Sequence, residues 1–498
     1  MRNSSAPPHI YPSAHAKPAA AAVNYKLTPV VCGGSAAVDA RPLRIGSAGL
    51  TKPSRDSTTL AVNRRRVLIV AEACNPEWVS VPLVGWSHAQ ALREVAAAHV
   101  VTQVRNREAI ARAGWVEGQD FTPIDSEAVA ARVTRFARFL RGGGSTGWTT
   151  GMALSAIAFP YFERLTWERF GRRLREGEFD LVHQITPLSP TLSPRMATWC
   201  RRTGVPFVWG PLNGGVPWPR GFDAARRQER EWLSYVRGAH KLMPGYHAAR
   251  RDSTAILIAS GATWQQMPRS FHHKCVYLPE NGIDPARFAK RRTRRAERPI
   301  RAIFLGRLVP YKGADMLLEA AAPLIRAGAM KLEIIGDGPQ MPQLRAIIAE
   351  QKLSDGVNLA GWVPHERVQD HLAESDVLAF PSIREFGGGV ALEAMAVGVV
   401  PVVPDYGGLG ELVTDLTGFR ISMGTRDQII DRLRSVLAFL AEHPQEIDRR
   451  SGPAQRRAHE QFTWSAKARQ TSMVYDWVLG EREKPDFGMP IEDLPTPL

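Results

Sequence analysis

The stretch Asp376 to Pro404, DVLAFPSIREFGGGVALEAMAVGVVPVVP, most constrains what this chain can become. Val377 to Phe380 is a short apolar run, as a parallel strand buried on both faces requires. Pro381 to Gly389 cannot extend it. Proline lacks the N–H that a strand ladder needs, and three consecutive glycines permit backbone angles closed to other residues. Val390 to Val397 follows with helix formers, placing Leu392, Met395 and Ala396 on one face. Gly398 ends that helix, and Val399 to Val403 is the next buried strand. Strand, loop, helix, strand is the unit of a parallel α/β sheet with helices on both faces.

This unit aims backbone N–H groups of Gly387, Gly388 and Gly389 out of a helix N-terminus at a strand's carboxyl end, a place suited to an anion. Two carboxylates flank it. Glu385 is on the loop, and Glu393 lies about one turn into the helix. Carboxylates do not bind phosphate, so their natural partners are hydroxyls. Amides for phosphate beside carboxylates for hydroxyls describe a site for a sugar joined to a nucleotide. The alternative is a solvated Glu385 and a helix-surface Glu393.

Strand-then-turn units recur along the chain. Val67 to Ala73 is the first clear buried strand, followed by a loop from Cys74 to Gly85, a helix from near Trp86 to Ala97, and a strand from His99 to Val104. Pro82 to Ser87 should then line a cleft, with a plain turn as the alternative for Gly85. Phe179 to His183 reads as a strand ending in histidine, which places His183 at a ligand-bearing strand end or leaves it satisfied by loop carbonyls. Val205 to Gly210 is another strand. The rigid loop PLNGGVPWP after it offers Asn213 and Trp218 as acceptor contacts. In RAIFLGRLVPYKG, a strand from Ala302 to Leu305 leads to Gly306, Arg307 and Lys312. Two cations at a strand's carboxyl end make a phosphate clamp, with arginine as a fork and lysine as a point charge. Asp405 to Glu411 is a further glycine-rich turn, and Phe462 to Leu479 a terminal helix.

Bulk properties narrow the choices. At 498 residues the chain exceeds one ordinary core, so two or three domains are expected. Four scattered cysteines argue against a disulfide framework or structural zinc and for a reducing compartment. A net charge of +15 suits nucleic acid, an anionic membrane surface or anionic substrates, and no nucleic-acid-binding motif accompanies it. The longest apolar candidate, Met152 to Phe159, is far short of the roughly 18–20 residues that span a bilayer, which implies a soluble or peripheral protein. Arg132, Arg135, Arg138 and Arg141 recur beside Val133, Phe136, Phe139 and Leu140. That pattern is either a membrane-surface helix or a solvated basic face packed through its phenylalanines. The run Gly142 to Gly147 lacks the Gly-Lys-Ser/Thr ending of a phosphate loop and reads as a linker.

The spacing Glu385-x7-Glu393, with Phe386 and the glycine triplet between, resembles the signature of the family 4 retaining GT-B glycosyltransferases. Phe386 stands one place earlier than the phenylalanine of the usual Glu-(Gly/Ala)-Phe-Gly. Gly306-Arg307-Leu308 with Lys312-Gly313 resembles the family's Gly-Arg-Leu-x-x-x-Lys-Gly. Pro279 to Phe288 resembles its interdomain link with one extra residue, Glu280, and Asp180 with His183 resembles its Asp-x-x-His. The resemblance implies a GT-B fold, two doubly wound Rossmann-like α/β domains facing a cleft. The expected parts are a disordered tail at 1–63, an acceptor domain at 64–284, a donor domain at 285–461, a helix at 462–480 crossing back to the first domain, and a tail at 481–498. By the same resemblance Glu385, His183, Arg307 and Lys312 are catalytic. Gly85, Gly306, Val363 (on the base), Phe386, Gly387, Gly388, Gly389 and Glu393 complete the donor site.

The expected reaction moves a hexose from a UDP- or GDP-sugar to a hydroxyl of a saccharide or lipid-linked acceptor. No cofactor and no metal is expected, since no Asp-x-Asp occurs. The expected setting is cytoplasmic, at the inner face of the plasma membrane, in polysaccharide or cell-surface glycan assembly. The competing readings are an epimerase or phosphorylase on the same fold, a dinucleotide oxidoreductase and a basic nucleic-acid-binding protein. The oxidoreductase lacks its Gly-x-Gly-x-x-Gly after the first strand.

Overall fold

The computed structural model describes residues 64–127, 148–214, 216–219, 221–223, 241 and 245–488. The expected N-terminal tail, the basic residues at 132–141, the run at 142–147 and the end of the expected C-terminal tail lie outside them.

Among the described residues the strands form two wholly parallel sheets. The first has the order β3-β2-β1-β4-β5-β6-β7. Its strands are β1 (Arg66–Ala71), β2 (Ala97–Gln103), β3 (Phe121–Ile124), β4 (Leu181–Thr186), β5 (Phe207–Leu212), β6 (Ala255–Ile258) and β7 (Cys275–Tyr277). The second has the order β10-β9-β8-β11-β12-β13. Its strands are β8 (Ile300–Leu305), β9 (Met330–Ile335), β10 (Val357–Gly361), β11 (Val377–Ala379), β12 (Val400–Pro404) and β13 (Phe419–Ile421). Both are doubly wound, with the strand order reversing beside β1 and beside β8, and a crevice opens beyond the carboxyl ends at such a point.

Alternation along β1 shows why its sequence is uniformly apolar. Val67, Ile69 and Ala71 enter one cluster while Leu68 and Val70 enter another on the opposite face. Around the second sheet, Leu317, Leu318 and Ala321 of α4 (Ala314–Arg326) and Leu392, Met395 and Ala396 of α5 (Gly389–Val397) join one core. Preceding these helices are α1 (Val81–Val95), α2 (Trp148–Arg175) and α3 (Gly261–Gln266). Following them are α6 (Gly407–Leu412), α7 (Arg426–Glu442), α8 (Gln445–Gln461) and α9 (Trp464–Val478).

The chain crosses between sheets twice at one place. Ile283 N donates to Phe462 O at 2.8 Å and Trp464 N to Ile283 O at 3.1 Å. From there α9 packs on α1, where Thr471 Oγ1 lies 3.4 Å from His88 Nε2. The basic face of α2 is partly neutralised by Arg164–Glu168 and Arg172–Glu176 pairs, and Arg173 pairs with Glu178 beyond its end. Among the described residues no helix is long and apolar enough to cross a membrane.

Several expected boundaries shift. The first helix begins at Val81 rather than near Trp86, because proline in a helix's first turn sacrifices no hydrogen bond. Gly85 is therefore a buried helical residue and not a cleft loop. A Cβ there would stand 2.1 Å from Ala73 O, so glycine is what lets α1 approach the end of β1. The fourth strand runs to Thr186, three residues past His183. Gly407 to Leu412 is a short helix rather than a turn.

Candidate active site

The second sheet's crevice gathers most of the expected donor residues. At the end of β8 the backbone turns through Gly306 at φ 156° and presents an exposed Arg307. A 3-10 turn, Pro310–Lys312, then carries the lysine back toward the neighbouring strand. β11 ends beside it, and the loop that follows brings Glu385 round. Lys312 Nζ donates to the Glu385 carboxylate, with both side chains mostly buried. The ammonium also lies 5.1 Å from the Phe380 ring, and Ser382 Oγ donates to Glu385 at 3.5 Å. The Arg307 guanidinium makes no hydrogen bond or ion pair with a described residue, while its carbonyl accepts from Val309 N at 3.0 Å.

Beyond Glu385 the glycines set up α5. Gly388 caps it in the left-handed region at φ 60°. A Cβ on Gly387 would stand 1.9 Å from Glu280 Oε1 and 2.2 Å from Asn281 Nδ2, so any side chain there displaces both. The N–H groups of Gly387, Gly388 and Gly389 donate to no described residue. Phe386 lies under the Arg384 guanidinium at 5.0 Å. One turn into α5, Glu393 accepts from His365 Nε2 at 2.9 Å. His365 follows Val363, which is half-buried against the second core, by two residues. The crevice thus offers two cations, free helix N-terminal amides and two carboxylates along one strand-end edge.

His183 is not part of this. It is fully buried, with Nδ1 2.7 Å from Tyr475 Oη of α9 and Nε2 2.8 Å from Gly210 O. Its ring binds α9 to the first sheet and is closed off from the cleft. Asp180, its expected motif partner, pairs with Arg66 at the other end of the strand. Burial holds the His183 imidazole down at about 4, below the ordinary 6.5. The sign follows: stability from neutral His183 is fully present above pH 6.5 and is lost as pH falls toward 4. In His183→Gln, urea titrations at about pH 7 and about pH 4.5 are expected to show the wild-type advantage shrinking by ~2–3 kcal/mol at the lower pH. An advantage independent of pH, or a loss of kcat in a fully stable variant, would return His183 to the chemistry.

Asn213 is likewise not an open acceptor contact. It is buried, its Nδ2 donating to Glu280 Oε1 at 2.5 Å and its Oδ1 accepting from Ser260 Oγ at 3.0 Å. Glu280 itself is buried, its Oε2 has no partner among the described residues, and burial lifts its carboxyl to about 7. Trp218 reaches across to the second sheet's lobe. It packs edge-on to Tyr311 at 6.2 Å and under Arg384 at 5.0 Å. Two further bonds tie its loop there, Arg384 Nε to Val216 O at 3.2 Å and Tyr406 Oη to Pro217 O at 3.0 Å.

His365 and Arg384 went unread in the sequence. His365 stands 28 positions from Glu393, and nothing in either local pattern joins them. Arg384 precedes Glu385 directly, and its partners come from the other lobe.

Two parallel doubly wound lobes, with a cation-and-carboxylate crevice at a strand-order reversal, define a GT-B protein. Residues 286–450 match the family model described as glycosyl transferases group 1. The MMP alpha-(1->4)-mannosyltransferase of Mycolicibacterium hassiacum is 31% identical over 310 residues, covering 61% of this chain and 71% of that one. A putative colanic acid biosynthesis glycosyltransferase, WcaL, of Escherichia coli is 30% identical over 166 residues, or 32% of this chain and 41% of that one. The chain belongs to the group 1 glycosyl transferases, and it spans less than two thirds of several of its curated relatives, 61% of one and 36% of another. Among solved structures, Anabaena Alr3699/HepE in complex with UDP and glucose superposes with a TM-score of 0.51 at 16% identity, covering 83% of this chain and all (100%) of that one. That likeness is one of fold.

Proposed function

We propose that this chain transfers a hexose from a UDP- or GDP-sugar to a hydroxyl of a saccharide or lipid-linked acceptor, with retention, in polysaccharide or cell-surface glycan assembly. The observation that carries it is the contact of Lys312 with Glu385 at the switch point, beside Arg307 and the free amides of α5. Arg307 and Lys312 neutralise the diphosphate, and Glu385, already holding Lys312, accepts from hydroxyls of the donor sugar. Glu393, oriented by His365, accepts from the ribose, and Val363 borders the base. Gly306 gives the phosphates room, Phe386 fixes the loop, and Trp218 borders the acceptor side. The sugar C1–O bond to phosphate breaks as the acceptor oxygen bonds C1 on the same face. The departing phosphate oxygen takes the acceptor's proton. The relatives' names support the setting, one being a colanic acid biosynthesis enzyme. The setting proposed here is the cytoplasmic face of the plasma membrane, the anionic leaflet attracting a chain of net charge +15.

Nucleotide sugars that bind only the native state raise its melting temperature, and a panel of them identifies the donor. With that donor, free nucleoside diphosphate is expected to form only when acceptor is added, and the rate to survive EDTA. Release without acceptor favours the epimerase reading. Loss of activity with EDTA, restored by a divalent cation, removes the role given to the two side-chain cations.

A further inference from the structure

Glu385 sits on a loop whose own sequence leaves it permissive, since Gly387, Gly388 and Gly389 follow close behind. Among the described residues its carboxylate is held by Lys312 and, at 3.5 Å, by Ser382 Oγ. Further restraint comes from the first lobe. The Trp218 ring meets two side chains of the second lobe, Tyr311 at 6.2 Å and the Arg384 guanidinium at 5.0 Å. Tyr311 directly precedes Lys312, and Arg384 directly precedes Glu385. One side chain therefore touches the neighbours of both members of the cation–carboxylate contact. Arg384 is only 7% exposed. Its guanidinium also lies over the Phe386 ring at 5.0 Å, and its Nε donates to Val216 O at 3.2 Å. The loop backbone is joined at the same place, with Ile383 N donating to Tyr311 O at 2.9 Å and Gly408 N to Glu385 O at 3.2 Å. Space there is tight: a Cβ on Gly407 would stand 2.5 Å from Glu385 O and 3.5 Å from Val216 Cγ1. A guanidinium suits this position because it combines a flat face for the two rings with an N–H directed at a carbonyl. A lysine ammonium is a point charge without either.

We propose that Arg384 is a positioning residue for the reaction, tying the Glu385 loop to Val216 and Trp218 so that the carboxylate is set against Lys312 and the donor sugar when the first lobe is in place. Arg384 touches no reacting atom and acts through Glu385. In the glycosyl-transfer reading, on which this role rests, Val216 and Trp218 belong to the acceptor lobe. Arg384 then makes the donor carboxylate answer to the acceptor side.

Hydrogen exchange read by mass spectrometry on the full chain tests the tie without any substrate. Arg384→Met or Trp218→Leu is expected to speed exchange at the Ile383 and Gly408 amides about tenfold, the scale of one lost hydrogen bond and ring contact, with β8 and β12 unchanged. Kinetics with donor and acceptor read the consequence. Arg384→Met is expected to lower kcat by about 10–10², the cost of a misplaced group, while donor KM changes less than about twofold. In a Glu385→Gln background the same substitution is expected to cost less than about twofold more, because Glu385 is the group it positions. Arg384→Lys keeps the buried charge without the fork and is expected to show the same losses. Unchanged exchange overturns the tie, whatever the reaction. Near-normal kcat in Arg384→Met or Arg384→Lys, or an undiminished further loss in the Glu385→Gln background, overturns the role through Glu385. Faster exchange in the variants of a wild-type protein that turns over no nucleotide sugar supports the tie and overturns the reaction reading instead.

Discussion

Lys312→Ala is expected to lower kcat by roughly 10²–10³, the scale of losing one preorganised donor to a charge that develops in the transition state. In the proposed reaction that charge forms beside Lys312, which stands at the carboxyl edge between β8 and β11 and is held in place before any ligand arrives. The Glu385 carboxylate accepts one of its three N–H donors, and the Phe380 ring lies below at 5.1 Å. The other two donors have no partner among the described residues. A group fixed in advance needs no reorganisation as the phosphate departs, so the loss should fall on kcat more than on KM. Arg307, a separate and exposed cation, is expected to keep part of the donor affinity in that variant. A near-normal kcat in a folded Lys312→Ala protein would remove the phosphate clamp. A raised KM with kcat unchanged would make Lys312 a contact equally strong in the ground state and the transition state.

Asp376→Ala is expected to destabilise the second lobe by about 3–5 kcal/mol, the cost of breaking a buried ion pair from one side. Asp376 immediately precedes β11, the strand leading into the crevice, and is fully buried. It accepts from Arg292 Nε at 3.1 Å and Nη2 at 3.0 Å, from Arg294 Nη1 at 2.7 Å and from Arg301 N at 2.9 Å. The Arg292 side chain is itself only 3% exposed, so alanine leaves a guanidinium buried with Asp448 as its remaining acid. The cost appears as a lower urea midpoint for the transition that reports the second lobe. A shift worth less than about 1 kcal/mol would show that Arg292 escapes to water, as surface pairs do. The basic run from Lys290 to Pro299 thus closes on Asp376 through Arg292 and Arg294.

Arg307, Lys312, Glu385 and the glycine triplet could be read in order because each follows directly on an apolar strand. Glycine or proline marks where each strand must stop, and the carboxyl end of a parallel strand is where ligands bind. His183 failed on a boundary of three residues. Ending β4 at His183 aims the ring at the cleft, and ending it at Thr186 puts the same ring in the interior. Gly85 failed similarly, since proline opens a helix as readily as it breaks one. Asn213 looked exposed in a proline-glycine loop because its partner, Glu280, is 67 positions away.

Sequence alone determined the two parallel sheets, the strand-end placement of both cations and Glu385, and the need for glycine ahead of α5. All of these rest on local periodicity and backbone sterics, which act over a few residues. Only the tertiary structure decided which polar groups are closed off and which face a crevice. Tyr475 claims His183 from 292 positions away, and Trp218 meets Tyr311 only because both lobes come together. Burial and charge compensation are properties of neighbours in space, and the order of residues along a chain does not carry them.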